Sequence, residues 1–238
     1  MRFFTDDDIA EALPWDRLVE AVERVVVETG AGAPQRTVHT VPVPGAAAGT
    51  FLMKPGWVTG DVVGVKAVTV FPDNGRFGRP TVQAGMLLFD ATSGSLIGAC
   101  EANELTTRRT AAASAVAAKR LAREDVRSLL VIGTGALAPM AARAHAHVRN
   151  YDTVSVWGRD PAKAAAVVDR LAADGLPAVG VDRLDAAVAD ADVISAVTGA
   201  TEPLVRGELL RPGTHVDLVG AFDAGMRESD DDVIRRAT

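Results

Sequence analysis

Residues 129–146, LLVIGTGALAPMAARAHA, place Gly133, Gly135 and Ala138 in the spacing G-x-G-x-x-A. An apolar run precedes the glycines and an alanine-rich run follows them, so the reading is strand, tight turn, helix. In that context backbone N–H groups at a helix start meet a dinucleotide pyrophosphate, and Gly133, Thr134, Gly135, Ala136 and Leu137 would touch it. About twenty residues on, a carboxylate would hold the ribose of NAD. The chain there reads VSVWGRD, ending in Trp157, Gly158 and Arg159. An arginine at that place suits a 2′-phosphate, so NADPH is expected in preference to NADH. The alternative is a solvent-facing Arg159, with Asp160 serving the first turn of the next helix. Two later strands, VISAVTGA and VDLVGAFDAG, bring Thr198, Val219 and Gly220 to the edge of the same crevice.

Two basic residues of the preceding sequence stand in unusual places, and a third, Arg36, reads by itself as a surface residue. Lys66 interrupts VVGVKAVTV, where both faces of a strand are otherwise nearly all apolar, so its ammonium either escapes at an edge or is held in a pocket. Arg109 stands beside Arg108 near the start of an alanine-rich helix, and cations there oppose the helix dipole. It either holds an anion or is one of a solvated pair. Arg36, at the head of a strand, is a third candidate.

Positioning these residues takes two kinds of architecture. Up to residue 105 the sequence gives two helices, DDDIAEAL with a Thr5–Asp8 capping pattern and WDRLVEAVERVVVETG closed by Gly30. Four β-branched segments follow, the last a hairpin turning at Ala91–Gly94. From Thr106 a long helix leads into strands at 129–132, 153–157, 178–181, 192–197 and 215–219 that alternate with helices. The expected fold class is α/β: a Rossmann-type doubly wound parallel sheet over 106–238, preceded by a mixed α+β domain over 1–105.

Composition limits the partners. Apolar residues make up 48% of the 238 and charged residues 24%, enough for a sizeable core. A net charge of −6 leaves no basic stripe for nucleic acid or an acidic membrane. The single cysteine, Cys100, rules out an intramolecular disulfide and a cysteine-built metal site, so no metal is expected. No run approaches a membrane span and the acidic start is unlike a secretory signal, which points to the cytoplasm.

GVKAVTVFPDN, RPTVQAGMLLFDATSGSLIG, LTTRRTAAASAVAAKRLA, VIGTGALAP and DLVGAFDAGMRESDD together resemble the ornithine cyclodeaminase and mu-crystallin family. GALAP, WGRD and the segment VGAF to MRESDD look closest to its bacterial reductases of pyrroline-2-carboxylate and piperideine-2-carboxylate. The resemblance implies that Arg36, Lys66 and Arg109 grip the substrate's carboxylate and nitrogen. It also implies a catalytic proton from Lys66, Thr81 and Arg109 at the nicotinamide end, and a homodimer joined through the first domain's sheet. The reaction implied is reduction of a small cyclic imine to proline or pipecolate.

Two features depart from the family. Cyclodeaminases carry an aspartate directly after the Gly-Ala that ends the fifth strand, whereas here Phe222 follows Ala221 and Asp223 comes one later. In extended chain that shift turns the side chain to the opposite face. The chain also stops inside an expected helix where family members continue, so its Rossmann domain reads as truncated. A cyclodeaminase, an alanine dehydrogenase-like enzyme and a mu-crystallin-like binding protein are the alternatives.

Overall fold

The β-branched runs of the first hundred residues pair into a seven-stranded mixed sheet. The computed structural model describes residues 2–27 and 30–237, and the chain divides into one unit of Met1–Arg17 and Glu23–Thr106 and a second of Leu18–Val22 and Thr107–Thr238. In the first unit, β1 (Arg2–Phe4), β2 (Ala31–Gly32), β3 (Thr37–Val41), β4 (Gly49–Val58), β5 (Val62–Val70), β6 (Val82–Asp90) and β7 (Leu96–Glu101) run in the order β1-β7-β6-β5-β4-β2, with β3 also on β4. β1 is parallel to β7, and the other pairs are antiparallel. Pro55 is tolerated inside β4 because it falls between the stretches that pair with β2 and β3, where no neighbour needs its missing N–H.

Local chemistry fixes the ends of these elements. Helix α1 (Asp6–Ala12) begins with the reciprocal Thr5–Asp8 capping box, and those hydrogen bonds hold the Asp8 carboxyl below its usual range. The hairpin between β6 and β7 closes on Asp90, whose carboxylate accepts from the backbone and hydroxyls of Thr92 and Ser93 and has its pKa lowered to about 2. Helix α2 is Trp15–Val27, and the part of its expected reach at positions 28 and 29 lies outside the described residues.

Helix α3 (Asn103–Leu121) begins three residues before the expected Thr106. Its start is capped from another element: the Asp6 carboxylate accepts from the Glu104 backbone N–H and from the Asn103 side chain. Arg109 therefore stands in the second turn, where the field of the helix terminus has largely faded.

The second unit carries β8 (Ser128–Ile132), β9 (Thr153–Trp157), β10 (Ala178–Gly180), β11 (Val193–Ala196) and β12 (His215–Leu218), all parallel in the order β10-β9-β8-β11-β12. Helices α4 (Leu137–Val148), α5 (Pro161–Ala173), α6 (Leu184–Asp190) and α7 (Asp231–Arg235) accompany it. Alternate residues of β8 feed two cores: Leu129 and Val131 pack with Val154, Val156 and α4, while Leu130 and Ile132 pack with Ile194, Val188 and Val233. Burial of both faces is what makes these strands read as continuous apolar runs. This is a Rossmann-type doubly wound sheet, with its order reversal between β8 and β11.

Candidate active site

The order reversal opens a crevice of about 640 Å³ at the carboxyl ends of β8, β9 and β11. It brings together Gly133, Thr134, Gly135, Trp157, Gly158 and Arg159 from the first two loops with Thr198 from the third. Gly133 has φ +130, and its N–H donates to the Trp157 carbonyl at 2.9 Å. A Cβ there would come within 2.8 Å of the Val197 carbonyl oxygen, so only glycine makes this turn. Gly135 instead faces open space. The α4 terminus beyond it has Ala136 at its N-cap and no side chain bonded to its N–H groups. Exposed backbone donors and an uncapped helix start fit a phosphate.

Charge at the mouth of the crevice fits the same ligand. Asp160 caps α5 by accepting from the Ala162 and Lys163 N–H groups. Arg159 is exposed and lines the crevice, and so does Lys163, a residue the sequence reading did not single out. Among the described residues the side chains of both are without a hydrogen-bond or ion-pair partner. Of the two charged residues of WGRD, Asp160 serves the helix start and Arg159 lines the crevice.

Other expected cofactor residues lie beside this wall. Leu137 and Val219 turn into the core, Ala136 is the helix cap, and Gly220 is a close-packing position where a Cβ would overlap the Thr198 backbone. What joins Gly220 to Thr198 is Glu228, 2% exposed and unremarked in the sequence reading. Its Oε1 accepts from the Thr198 N–H at 2.6 Å and hydroxyl at 3.1 Å, and its Oε2 from the Gly220 N–H at 2.8 Å. One buried carboxylate therefore holds the loops after β11 and β12 in register. An acidic residue in RESDD reads as solvated surface, and only the folded chain reveals these donors.

Lys66 lies in the first unit. β5 sits between β4 and β6, so the ammonium has no sheet edge to escape to, and the side chain is half-buried. Its Nζ donates to Thr106 Oγ1 at 3.1 Å; that hydroxyl spends its own hydrogen on the Ala102 carbonyl at 2.6 Å and so presents only a lone pair to the lysine. Arg36 and Thr81 are exposed positions just before β3 and β6. Arg109 belongs to the second unit, half-buried on α3, and burial pushes its guanidinium below the usual value. Among the described residues that guanidinium has no hydrogen-bond or ion-pair partner. The mark of Arg109 is desolvation rather than the helix terminus.

The expected inversion at residues 222 and 223 is corrected. β12 ends at Leu218, so strand alternation does not reach these positions. Phe222 is exposed, and the Asp223 carboxylate accepts from the Gly225 N–H at 2.8 Å in a tight local turn.

The profile of the ornithine cyclodeaminase/mu-crystallin family matches residues 2–238. The chain belongs to this family. It is 39% identical over 239 residues to the Delta(1)-pyrroline-2-carboxylate reductase of Paracoccus denitrificans, covering 99% of this chain and 73% of that protein. Its fold matches the Thermococcus litoralis Delta(1)-pyrroline-2-carboxylate reductase in complex with NADH and L-proline, with a TM-score of 0.92 and 30% identity over 100% of this chain and 74% of the other. The iminosuccinate reductase of Paracoccus denitrificans in complex with NAD+ matches with a TM-score of 0.90 and 30% identity, at the same coverage of 100% and 74%. The chain thus spans about three quarters of the length of these relatives. No helix among the described residues is long and apolar enough to cross a membrane.

Proposed function

We propose that this protein is a nicotinamide-dependent reductase of cyclic imine carboxylates, converting pyrroline-2-carboxylate to L-proline and piperideine-2-carboxylate to L-pipecolate. The observation that carries the reading is Lys66, a half-buried ammonium in the middle of a sheet, oriented by a hydroxyl that only accepts from it. The second unit holds the cofactor and the first holds the substrate and pairs subunits. The relatives with bound NADH and NAD+ support the cofactor class.

When bound, the nicotinamide supplies a hydride to the imine carbon. The electron pair of the C=N bond passes to nitrogen, where Lys66 delivers the proton that completes the amine. Arg36 and Arg109 fix the substrate carboxylate, and Arg109, whose guanidinium has no hydrogen-bond or ion-pair partner among the described residues, is suited to that role. Thr81 positions the nicotinamide end. Arg159 and Lys163 take the 2′-phosphate, making NADPH the preferred cofactor and NADH the second. Cyclodeamination needs a further proton carrier, and the local turn that engages Asp223 argues against that route. The compartment proposed is the cytoplasm, where the lone thiol of Cys100 stays reduced.

The test is NADPH oxidation with each cyclic imine. Turnover in the wild type and a loss of about 10²-fold or more in Lys66→Met, with cofactor binding retained, is the expected result. A protein that binds NADPH and reduces neither imine would be a binding protein instead.

A further inference from the structure

Residues 226–230 fasten the crevice wall that follows β11. The Arg227 N–H donates to the Ala200 carbonyl at 2.6 Å, and the Glu228 carbonyl accepts from the Leu204 and Val205 N–H groups, each at 2.9 Å. Ala200 and Leu204 line the crevice, as Thr198 does. From this wall the Glu228 side chain reaches across to the loop after β12. Its Oε1 takes both donors of Thr198, and its Oε2 takes the Gly220 N–H together with the Ala221 N–H at 3.4 Å. A carboxylate only accepts, so it serves donors on both sides at once. The Thr198 hydroxyl gives its hydrogen to Glu228 and accepts from the Ala200 N–H at 3.1 Å, which leaves it no hydrogen to donate into the crevice. Its methyl lies against the glycine turn instead, 3.2 Å from where a Gly133 Cβ would stand.

We propose that Glu228 is a positioning residue for the nicotinamide half of the cofactor, acting through Thr198 and Gly220 without touching the cofactor itself. This rests on the reductase reading, with the crevice as its cofactor site. A dinucleotide lying across an order reversal gives one mononucleotide half to each side of it. Arg159 follows β9, on the adenosine side, whereas the loops tied by Glu228 follow β11 and β12 on the other. Freeing one of those loops moves the surface under the nicotinamide and leaves the surface under the adenosine as it was. Hydride transfer tolerates such movement poorly, since a displacement of about 1 Å costs on the order of 10²-fold in rate. Binding of the adenosine half tolerates it well, because its phosphate donors, at the Gly133 turn and the start of α4, belong to the loop after β8.

The experiment compares the full chain with Glu228→Gln, which keeps the shape of the side chain. The amide can offer its oxygen to Thr198 or to Gly220 but not to both, so one loop loses its acceptor. ADP-ribose, which lacks the nicotinamide, should bind the variant within about twofold of the wild type by calorimetry, as expected for a site not coupled to the change. With NADH and pyrroline-2-carboxylate, kcat should fall by about 10²-fold while KM for NADH changes little. The emission of bound NADH should fall below that of the wild-type complex. Unchanged kcat, or an equal weakening of ADP-ribose and NADH, overturns the proposal, and a wild type that binds no NADH overturns it together with the cofactor site. A wild type that binds NADH and reduces no imine defeats the reductase reading alone. The two binding readouts then decide for Glu228: altered NADH emission with unaltered ADP-ribose affinity upholds its role, and unaltered emission removes it. Should Glu228→Gln fail to fold, Thr198→Val, which removes one of the carboxylate's donors and keeps a methyl at the turn, is judged by the same two readouts.

Discussion

The two units put their apolar side chains to opposite uses. In the second, strands and helices bury Leu129, Leu130, Val131, Ile132, Val154 and Ile194 almost completely, and both faces of the sheet are covered. Among the described hydrophobic residues of the first, only Cys100 and Ala102 are buried. That sheet instead displays a row in which Trp57, Val63, Phe89 and Leu96 succeed one another across four strands. Leu87, 41% exposed, and Phe3, 60% exposed, continue the same face through Ala99. A sheet that leaves Trp57 at 44% exposure has an apolar surface to lose to a partner. The comparison teaches that the second unit is held by its own core, while the first leaves an apolar face exposed, a face that the proposed homodimer would cover.

The strongest way to break that comparison is to charge the exposed face. Trp57→Asp combined with Leu87→Asp should weaken self-association by roughly 1,000-fold or more, as loss of central apolar anchors does. Sedimentation should show a dimer for the wild type and a monomer for the double variant. If the face were simply solvated, the substitutions would cost only a few tenths of a kcal/mol and leave the mass unchanged. A monomeric wild type at micromolar concentration sinks the dimer proposal outright.

The same contrast explains what could be read in advance. The second unit was legible because a strand buried on both faces must be continuously apolar, and because the Gly133 turn leaves a spacing of its own. The hairpin at Asp90 was legible for a similarly local reason. β1 was missed, since three residues, Arg2–Phe4, are too few to show a period. The start of α3 was set by Asp6, nearly a hundred positions away, a contact with no local signature. Glu228 was missed because its partners are backbone N–H groups, which have no identity in a sequence. Arg109 was noticed through the dipole argument although its distinguishing property is desolvation. At the start of α3 and at Glu228 the deciding contact is tertiary and leaves no local signature.

A second prediction sharpens the comparison from inside the second unit. There the buried polar groups are connected: the Ser114 hydroxyl donates to Asp217 Oδ2 at 2.9 Å and lies 2.9 Å from His145 Nε2, while His215 bonds the other carboxylate oxygen at 3.0 Å. Because Ser114 spends its one hydrogen on Asp217, His145 donates from Nε2 as the neutral imidazole. Burial lowers the pKa of His145 to about 4, with Asp217 opposing that shift and His215 adding to it. The unfolded imidazole protonates near pH 6.5, whereas the folded one stays neutral until about 4. The stability associated with the neutral form is thus complete above 6.5 and is lost as pH falls toward 4, by about 3 kcal/mol. Urea unfolding at pH 7.5 and 4.5 measures this loss. His145→Met should flatten it whatever the variant's stability at neutral pH, and an equal slope in the two proteins would show that His145 is not its source.

The smallest effect concerns the two cations at the mouth of the second unit's crevice. Arg159 and Lys163 stand at the mouth of the crevice, and Asp160 is engaged with α5 instead of neutralising them. A bidentate arginine–phosphate contact in such a half-exposed setting is worth about 1.5–3 kcal/mol, which corresponds to a tenfold to hundredfold preference for NADPH over NADH. Arg159→Ala should remove most of that preference and weaken NADH little, since NADH has no 2′-phosphate to lose. Lys163→Ala should remove a smaller share, because an ammonium on a flexible stem acts as a point charge without the fork geometry. Raising salt should erode the NADPH advantage of the wild type and leave NADH binding nearly flat. Titration of both cofactors by nicotinamide fluorescence separates the cases. Equal affinities in the wild type would mean that these cations serve only the adenosine rim and that the crevice was built for the unphosphorylated cofactor.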